Sequence, residues 1–160
     1  MISSRKGYTI VEILLVITVL SMTLAIGGFT LNRSRNNVSL DSSVLTLLSD
    51  LRGQQIKVMN GAVVNGEASM YQGVYFEETR YVLFSSQSYD PQNETNYPIE
   101  LDSDNIFSVI NLPDDQIIFS EDGEIENFDP IRNFITLTNT NSNTQKTLFI
   151  NLYGSIYEVN

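Results

Sequence analysis

The chain has 160 residues, 42% of them hydrophobic and 18% charged, which sets the scale at one domain with a short appendage and excludes wholesale disorder. It contains no Cys, His or Trp, so disulfide frameworks, thiol or imidazole catalysis and zinc sites are excluded. Nine basic against 19 acidic residues give a formal charge of -10, which repels a phosphate backbone.

In chain order the first element is Tyr8–Leu31, an apolar run with the single charge Glu12, bounded by Arg5-Lys6 before and Arg33 and Arg35 after. As a helix rising about 1.5 Å per residue it would be roughly 36 Å long, enough for about 30 Å of bilayer hydrocarbon with some tilt. A helix apolar on every face suits lipid better than the surface of a small domain. Flanking charges do not set its orientation. A secretory signal cleaved after Gly27, releasing a soluble domain, is the alternative. Within a span, Glu12 costs about 3 kcal/mol unless it is paired or protonated. No Lys or Arg shares its helix face, so the cation it needs would be an amine at the start of a similar helix alongside. A carboxylate reaching back to the interface is the plainer reading.

Arg5-Lys6-Gly7-Tyr8-Thr9-Ile10-Val11-Glu12 followed by Ile13-Leu14-Leu15-Val16 resembles the type III signal of type IV pilins and pseudopilins: a basic leader, Gly, an aromatic, three residues, then Glu opening an apolar helix. The resemblance implies cleavage after Gly7 by a prepilin peptidase, a methylated N-terminus at Tyr8, and Glu12 neutralising the terminal amine of a neighbouring subunit. Tyr8 stands where the family most often has Phe. The helix also lacks the Pro many pilins carry, leaving Gly27-Gly28 as the place where it could loosen.

Apolar residues at Leu40, Val44, Leu47, Leu48, Leu51 and Val58 then follow one helical face, predicting that the helix continues to about Met59 and stops at Asn60-Gly61. Strands are expected at Gly73–Phe76 and Tyr81–Ser85, joined by the loop Glu77–Arg80, and at Tyr97–Leu101, Ile106–Leu112, Gln116–Ser120, Phe134–Thr138, Thr147–Leu152 and Ser155–Val159. Turns fall at Asp122-Gly123 and Tyr153-Gly154, and Asn139–Gln145 reads as a polar loop tip. The expected organisation is a leader at 1–7, a transmembrane segment at 8–31, a helix continuation at 32–60 and a β-rich domain at 61–160. The fold class is α+β, an antiparallel sheet packed on a long N-terminal helix.

Gln116–Phe119 before Asp122-Gly123, then Phe134–Thr138, then Leu148–Ile156 closed on Gly154, resembles the GspH/FimT family, the H-type minor pseudopilins of type II secretion and their type IV pilus relatives. That implies a structural subunit of a pseudopilus or pilus-like filament in the cytoplasmic membrane, with its C-terminal domain extracytoplasmic. Its partners would be other pilin subunits, the prepilin peptidase and membrane lipid, with an assembly platform and secretion ATPase acting indirectly. A competence-type pseudopilin that touches incoming DNA is an alternative.

Residues 90–129 hold 12 acids and no Lys or Arg. Asp102-Ser103-Asp104 and Glu121-Asp122-Gly123-Glu124 have oxygen ligands suited to calcium, yet the calcium-loop pattern is absent and a solvated acidic face explains them. Adjacent acids in polar turns lack the burial a general acid needs, so no catalytic residue, metal or cofactor is expected. Tyr71, Tyr75, Tyr81, Tyr89, Tyr97, Tyr153 and Tyr157 could stack on single strands, but sheet packing accounts for them, and beyond residue 38 only five basic residues face 18 acids. The Asn-rich sequences at Asn93 and Asn143 imply no special function.

Overall fold

A computed structural model describes residues 8–61, 63–64 and 67–159, with side chains described except at 25–37, 64, 67–68 and 158–159. The leader at 1–7, Gly7 included, lies outside the described residues. The chain divides into two units, Met1–Arg35 and Asn36–Asn160, each taken here by itself. Helix α1 is Ile10–Met59 and its backbone is helical through Gly27-Gly28. Among the described residues no helix is long and apolar enough to cross a membrane. The span expected over Tyr8–Leu31 runs into residues 25–37, whose side chains lie outside the described set.

In the second unit, α1 turns Leu40, Val44, Leu47, Leu51 and Val58 inward, and each is almost completely buried. This is the three-and-four spacing of one helical face, and burying such side chains contributes about 1.5–3 kcal/mol each. The helix ends as expected: Gly61 takes φ +69, open to a residue without Cβ, and its N–H bonds Val58 O at 3.0 Å.

The strands are β1 Val63–Val64, β2 Glu67–Ala68, β3 Gln72–Phe76, β4 Arg80–Phe84, β5 Tyr97–Glu100, β6 Asn105–Asn111, β7 Gln116–Phe119, β8 Phe134–Asn139, β9 Thr144–Ile150 and β10 Ile156–Val159. β1 and β2 form a ladder of their own, which the sequence pattern did not suggest. The others build two four-stranded sheets, β5-β4-β3-β7 and β10-β9-β8-β6, antiparallel throughout. The α+β class holds, but two sheets replace the expected one. Consecutive strands β6 and β7 lie in different sheets, separated by a 3-10 turn at Pro113–Asp115 in which Asp114 and Asp115 take φ 51 and 54. That left-handed pair breaks the extended run and sends the chain across to β3.

Both sheets aim their inward rows at α1. Val74, Phe76, Tyr81, Ile117 and Phe119 come from one, and Phe107, Ile135, Leu137, Leu148 and Ile150 from the other, in one core with the helix. Phe107 packs edge-on against Phe76 and Tyr81 across the gap. The β8–β9 turn is tighter than the expected loop tip, because Asn139 pairs with Thr144 and Thr138 with Gln145. Asn139 Oδ1 accepts the N–H of Asn141 and Ser142 and the Ser142 hydroxyl, folding the turn onto itself.

Polar side chains of α1 fix its register on the sheets. Gln54 Nε2 donates to Gly73 O at 3.0 Å and Phe84 O at 3.3 Å, while Gln55 Nε2 donates to Gly123 O at 2.7 Å and Tyr153 O at 2.9 Å. Asn105 Nδ2 donates to the hydroxyls of Ser39 and Ser43, and Lys146 pairs with Asp41 at 2.7 Å.

On the other face of the first sheet, Val82, Phe84 and Ile118 are buried. Tyr89, from the segment between β4 and β5, lies against Phe84 and stacks on Tyr75 at 4.1 Å. Gly73 faces Phe84 in register, and a Cβ there would sit 2.2 Å from Phe84 Cζ. A buried ring cannot step aside without opening this layer. Gly73→Ala is therefore expected to cost about 1–3 kcal/mol, read as a lower urea midpoint of the full chain; an unchanged midpoint would show that the ring moves freely.

Tyr81 donates its hydroxyl to Asp50 Oδ2, and burial first, then that hydrogen bond and the Asp50 charge, push its pKa well above the ordinary tyrosine value. Because the folded pKa is raised, the stabilisation is complete below about pH 10 and falls as pH rises beyond it. Tyr81→Phe should cost about 1–2 kcal/mol at neutral pH, read as a lower urea midpoint, and shallow the decline above pH 10. Parallel midpoint-against-pH curves for the two proteins would exclude Tyr81 as the source of the alkaline loss.

Candidate functional site

Tyr8 and Glu12 lie at the beginning of α1. Thr9 precedes the helix and its hydroxyl accepts the Glu12 N–H at 3.3 Å, while its carbonyl accepts the N–H groups of Glu12 and Ile13 at 3.1 and 3.2 Å. Thr-x-x-Glu is a capping-box spacing, and an acid in the first turn also meets the positive end of the helix dipole. The cap from Thr9 was legible in the sequence, since a Thr three residues before an acid stands at the head of an apolar run. It makes the start of the helix a property of four residues rather than of any packing.

Tyr8 is 80% exposed and lies outside the helix. With Glu12, Ile13, Val16 and Ile17 it lines a shallow groove along one face. Around it, Ile10, Val11, Leu14, Leu15, Val19, Leu20, Met22 and Leu24 are each at least half exposed. Over residues 10–24 apolar surface therefore runs round the helix rather than along one stripe. Its hydroxyls are turned inward: Thr18, Ser21 and Thr23 donate to Leu14 O, Ile17 O and Val19 O at 2.7, 2.8 and 3.0 Å. Hydroxyls bonded one turn back ask for no water and no outside partner. Glu12 differs, for among the described residues its carboxylate has neither an ion pair nor a hydrogen-bond partner.

The acidic stretch resolves into turn chemistry. Asp90 Oδ1 accepts the Gln92 N–H, Asp102 Oδ2 the Ser39 hydroxyl, and Asp129 Oδ1 the Ile131 N–H. Asp122 is held by the Ser120 hydroxyl and the Glu124 N–H, which keep its carboxyl below the usual aspartate range. Among the described residues no group of three or more acids is placed to hold a metal ion. Several of the aromatic residues are likewise taken up by one another or by the core, Tyr75 stacking on Tyr89, Phe149 on Tyr157 and Tyr81 being buried, whereas Tyr97 and Tyr153 are exposed. Stacked rings offer fewer free faces to bases.

Compared with protein-family models, with curated proteins and with solved structures, the chain matches none of them.

Proposed function

We propose that this chain is a pilin-like structural subunit, a minor pseudopilin of the GspH/FimT kind, cut after Gly7, anchored in the cytoplasmic membrane by the first part of α1 and assembled with other pilin subunits into a filament. The observation that carries this reading is the lone acid. Among the described residues Glu12 stands without a partner, in the first turn of a helix whose surface over residues 10–24 is apolar all round and whose hydroxyls there bond its own backbone. In a low-dielectric surrounding an isolated carboxylate must find a cation or take up a proton. A free amine at Tyr8 of an adjacent subunit supplies one of the right sign at the right depth.

Two further features support the reading. Tyr8, the expected new N-terminus, precedes the first helical residue Ile10 and so lies outside the helix. The order of β7, the Gly123 turn, β8 and a last hairpin closed on Gly154 is the pattern on which the GspH/FimT resemblance rests. In this role the extracytoplasmic domain makes protein contacts and carries no chemistry. Peptidase, assembly platform and ATPase do the work of processing and extrusion.

The mature protein, isolated from its own membranes, is expected to begin at Tyr8 with one added methyl group by intact mass and N-terminal fragmentation. A start at Gly28 would replace this reading with a secreted domain.

Glu12→Ala should leave the membrane level equal or higher, since an acid is removed from the apolar segment. Incorporation into filaments, followed by cross-linking in cells, should fall sharply. Incorporation at the wild-type level would remove charge pairing from the proposal.

A further inference from the structure

Between β4 and β5 the chain runs through residues 85–96, well beyond the about two to five residues of an ordinary hairpin connection. It closes with two successive turns. Asn93 N–H bonds Asp90 O at 3.1 Å and Asn96 N–H bonds Asn93 O at 3.2 Å, so Asn93 stands at the joint. Asn93-Glu94-Thr95 is an Asn-x-Thr sequon, with Glu94 rather than the blocking Pro in the middle.

The carboxamide is already arranged as an acceptor would need it. Asn93 Oδ1 takes two hydrogen bonds from Thr95, from its N–H at 3.0 Å and from its hydroxyl at 2.8 Å. Two donors on that oxygen draw charge toward it and ease loss of a proton from Nδ2. Among the described residues Nδ2 itself has no hydrogen-bond partner, and it is not one of the buried unpaired atoms, which are Gln72 Nε2 and Asn96 Oδ1. Asn93 is half-buried, and its Nδ2 is not closed off from solvent. The sequons at Asn32 and Asn37 differ, because both lie within α1, where the helical backbone cannot adopt this turn.

We propose that Asn93 is an acceptor site for an N-linked glycan, delivered from a lipid-linked oligosaccharyl diphosphate by an oligosaccharyltransferase on the outer side of the cytoplasmic membrane. The proposal rests on the extracytoplasmic placement of the domain given above. In the transfer, Asn93 Nδ2 attacks the anomeric carbon of the donor sugar. The new C–N bond forms as the C–O bond to the diphosphate breaks, a base of the transferase takes the Nδ2 proton, and the lipid diphosphate leaves with the bonding pair. No oxidation state changes.

The test is peptide and intact-mass spectrometry of the full chain isolated from its own cells, with the N-terminus read in the same sample. The peptide containing Asn93 should carry a saccharide mass that Asn93→Gln and Thr95→Ala remove and Thr95→Ser retains. Urea midpoints of the three variants should stay near wild type, which separates loss of the acceptor from loss of the fold. A bare Asn93 in protein that starts at Tyr8 overturns the glycan proposal and leaves the pilin reading standing. A glycan on Asn93 in protein that keeps its leader supports the acceptor site and counts against the processing step. Bare Asn93 in a chain whose domain is sheltered in the cytoplasm overturns both.

Discussion

Burial of one helical face by two sheets that share no strand is the constraint on which the second unit depends. Leu40, Val44, Leu47, Leu51 and Val58 form the ridge, and the inward rows of both sheets close on it in a single core. Neither sheet could bury its inner face alone, since a four-stranded antiparallel sheet needs a second layer to cover it. The helix is that layer for both. Hydrophobic burial is non-directional, so it drives the collapse without choosing a register. The choice falls to polar groups inside the ridge. Gln54 sits at the helical spacing between Leu51 and Val58, where an apolar residue would serve burial equally well, and its amide instead ties the helix to the carbonyls of Gly73 and Phe84.

The second tie, at Gln55, explains two glycines. Gly123 and Gly154 both have positive φ, and a Cβ on either would meet α1 or its neighbours: Met59 Sδ at 2.7 Å in one case, Phe119 Cε1 at 2.7 Å and Gln55 Nε2 at 3.0 Å in the other. Both turns therefore need glycine for backbone conformation, and the Gly154 turn needs it for space as well, because the buried Phe119 ring lies against it. One amide nitrogen bonds carbonyls from both turns, so the end of the helix and the last strands are positioned together. Each such bond is worth only about 1 kcal/mol net, but breaking one leaves a part-buried donor unpaired, and that penalty makes the arrangement specific.

The acids show the same economy at the surface. Asp90, Asp102, Asp122 and Asp129 each accept a hydrogen bond from a nearby N–H or hydroxyl, so the charge of this region is spread over turns and not focused in a site. Short polar side chains that bond backbone N–H groups favour turns, which accounts for the crowding of Asp and Asn between the strands. The same turn chemistry is what prepares Asn93.

Much of this was legible from residues alone, for reasons that are local. The extent of α1, its stop at Gly61 and the positions of most strands follow from periodicity and glycine, because those preferences act within a few residues of their cause. Gly7, Tyr8 and Glu12 are likewise singled out by spacing alone, as an expectation, and the Thr9 cap could have been read the same way. What sequence could not supply was pairing between distant segments. The separation of β6 from β7 into different sheets hangs on two aspartates in left-handed conformation, a state that no composition announces. The small buried layer outside β3 and β4 depends on Tyr89 arriving from a loop. Gln54 and Gln55 read as surface residues until two sheets surround them. Local sequence determines what each segment is, whereas side chains far apart in the chain determine what it packs against, and only the folded tertiary structure brings those together.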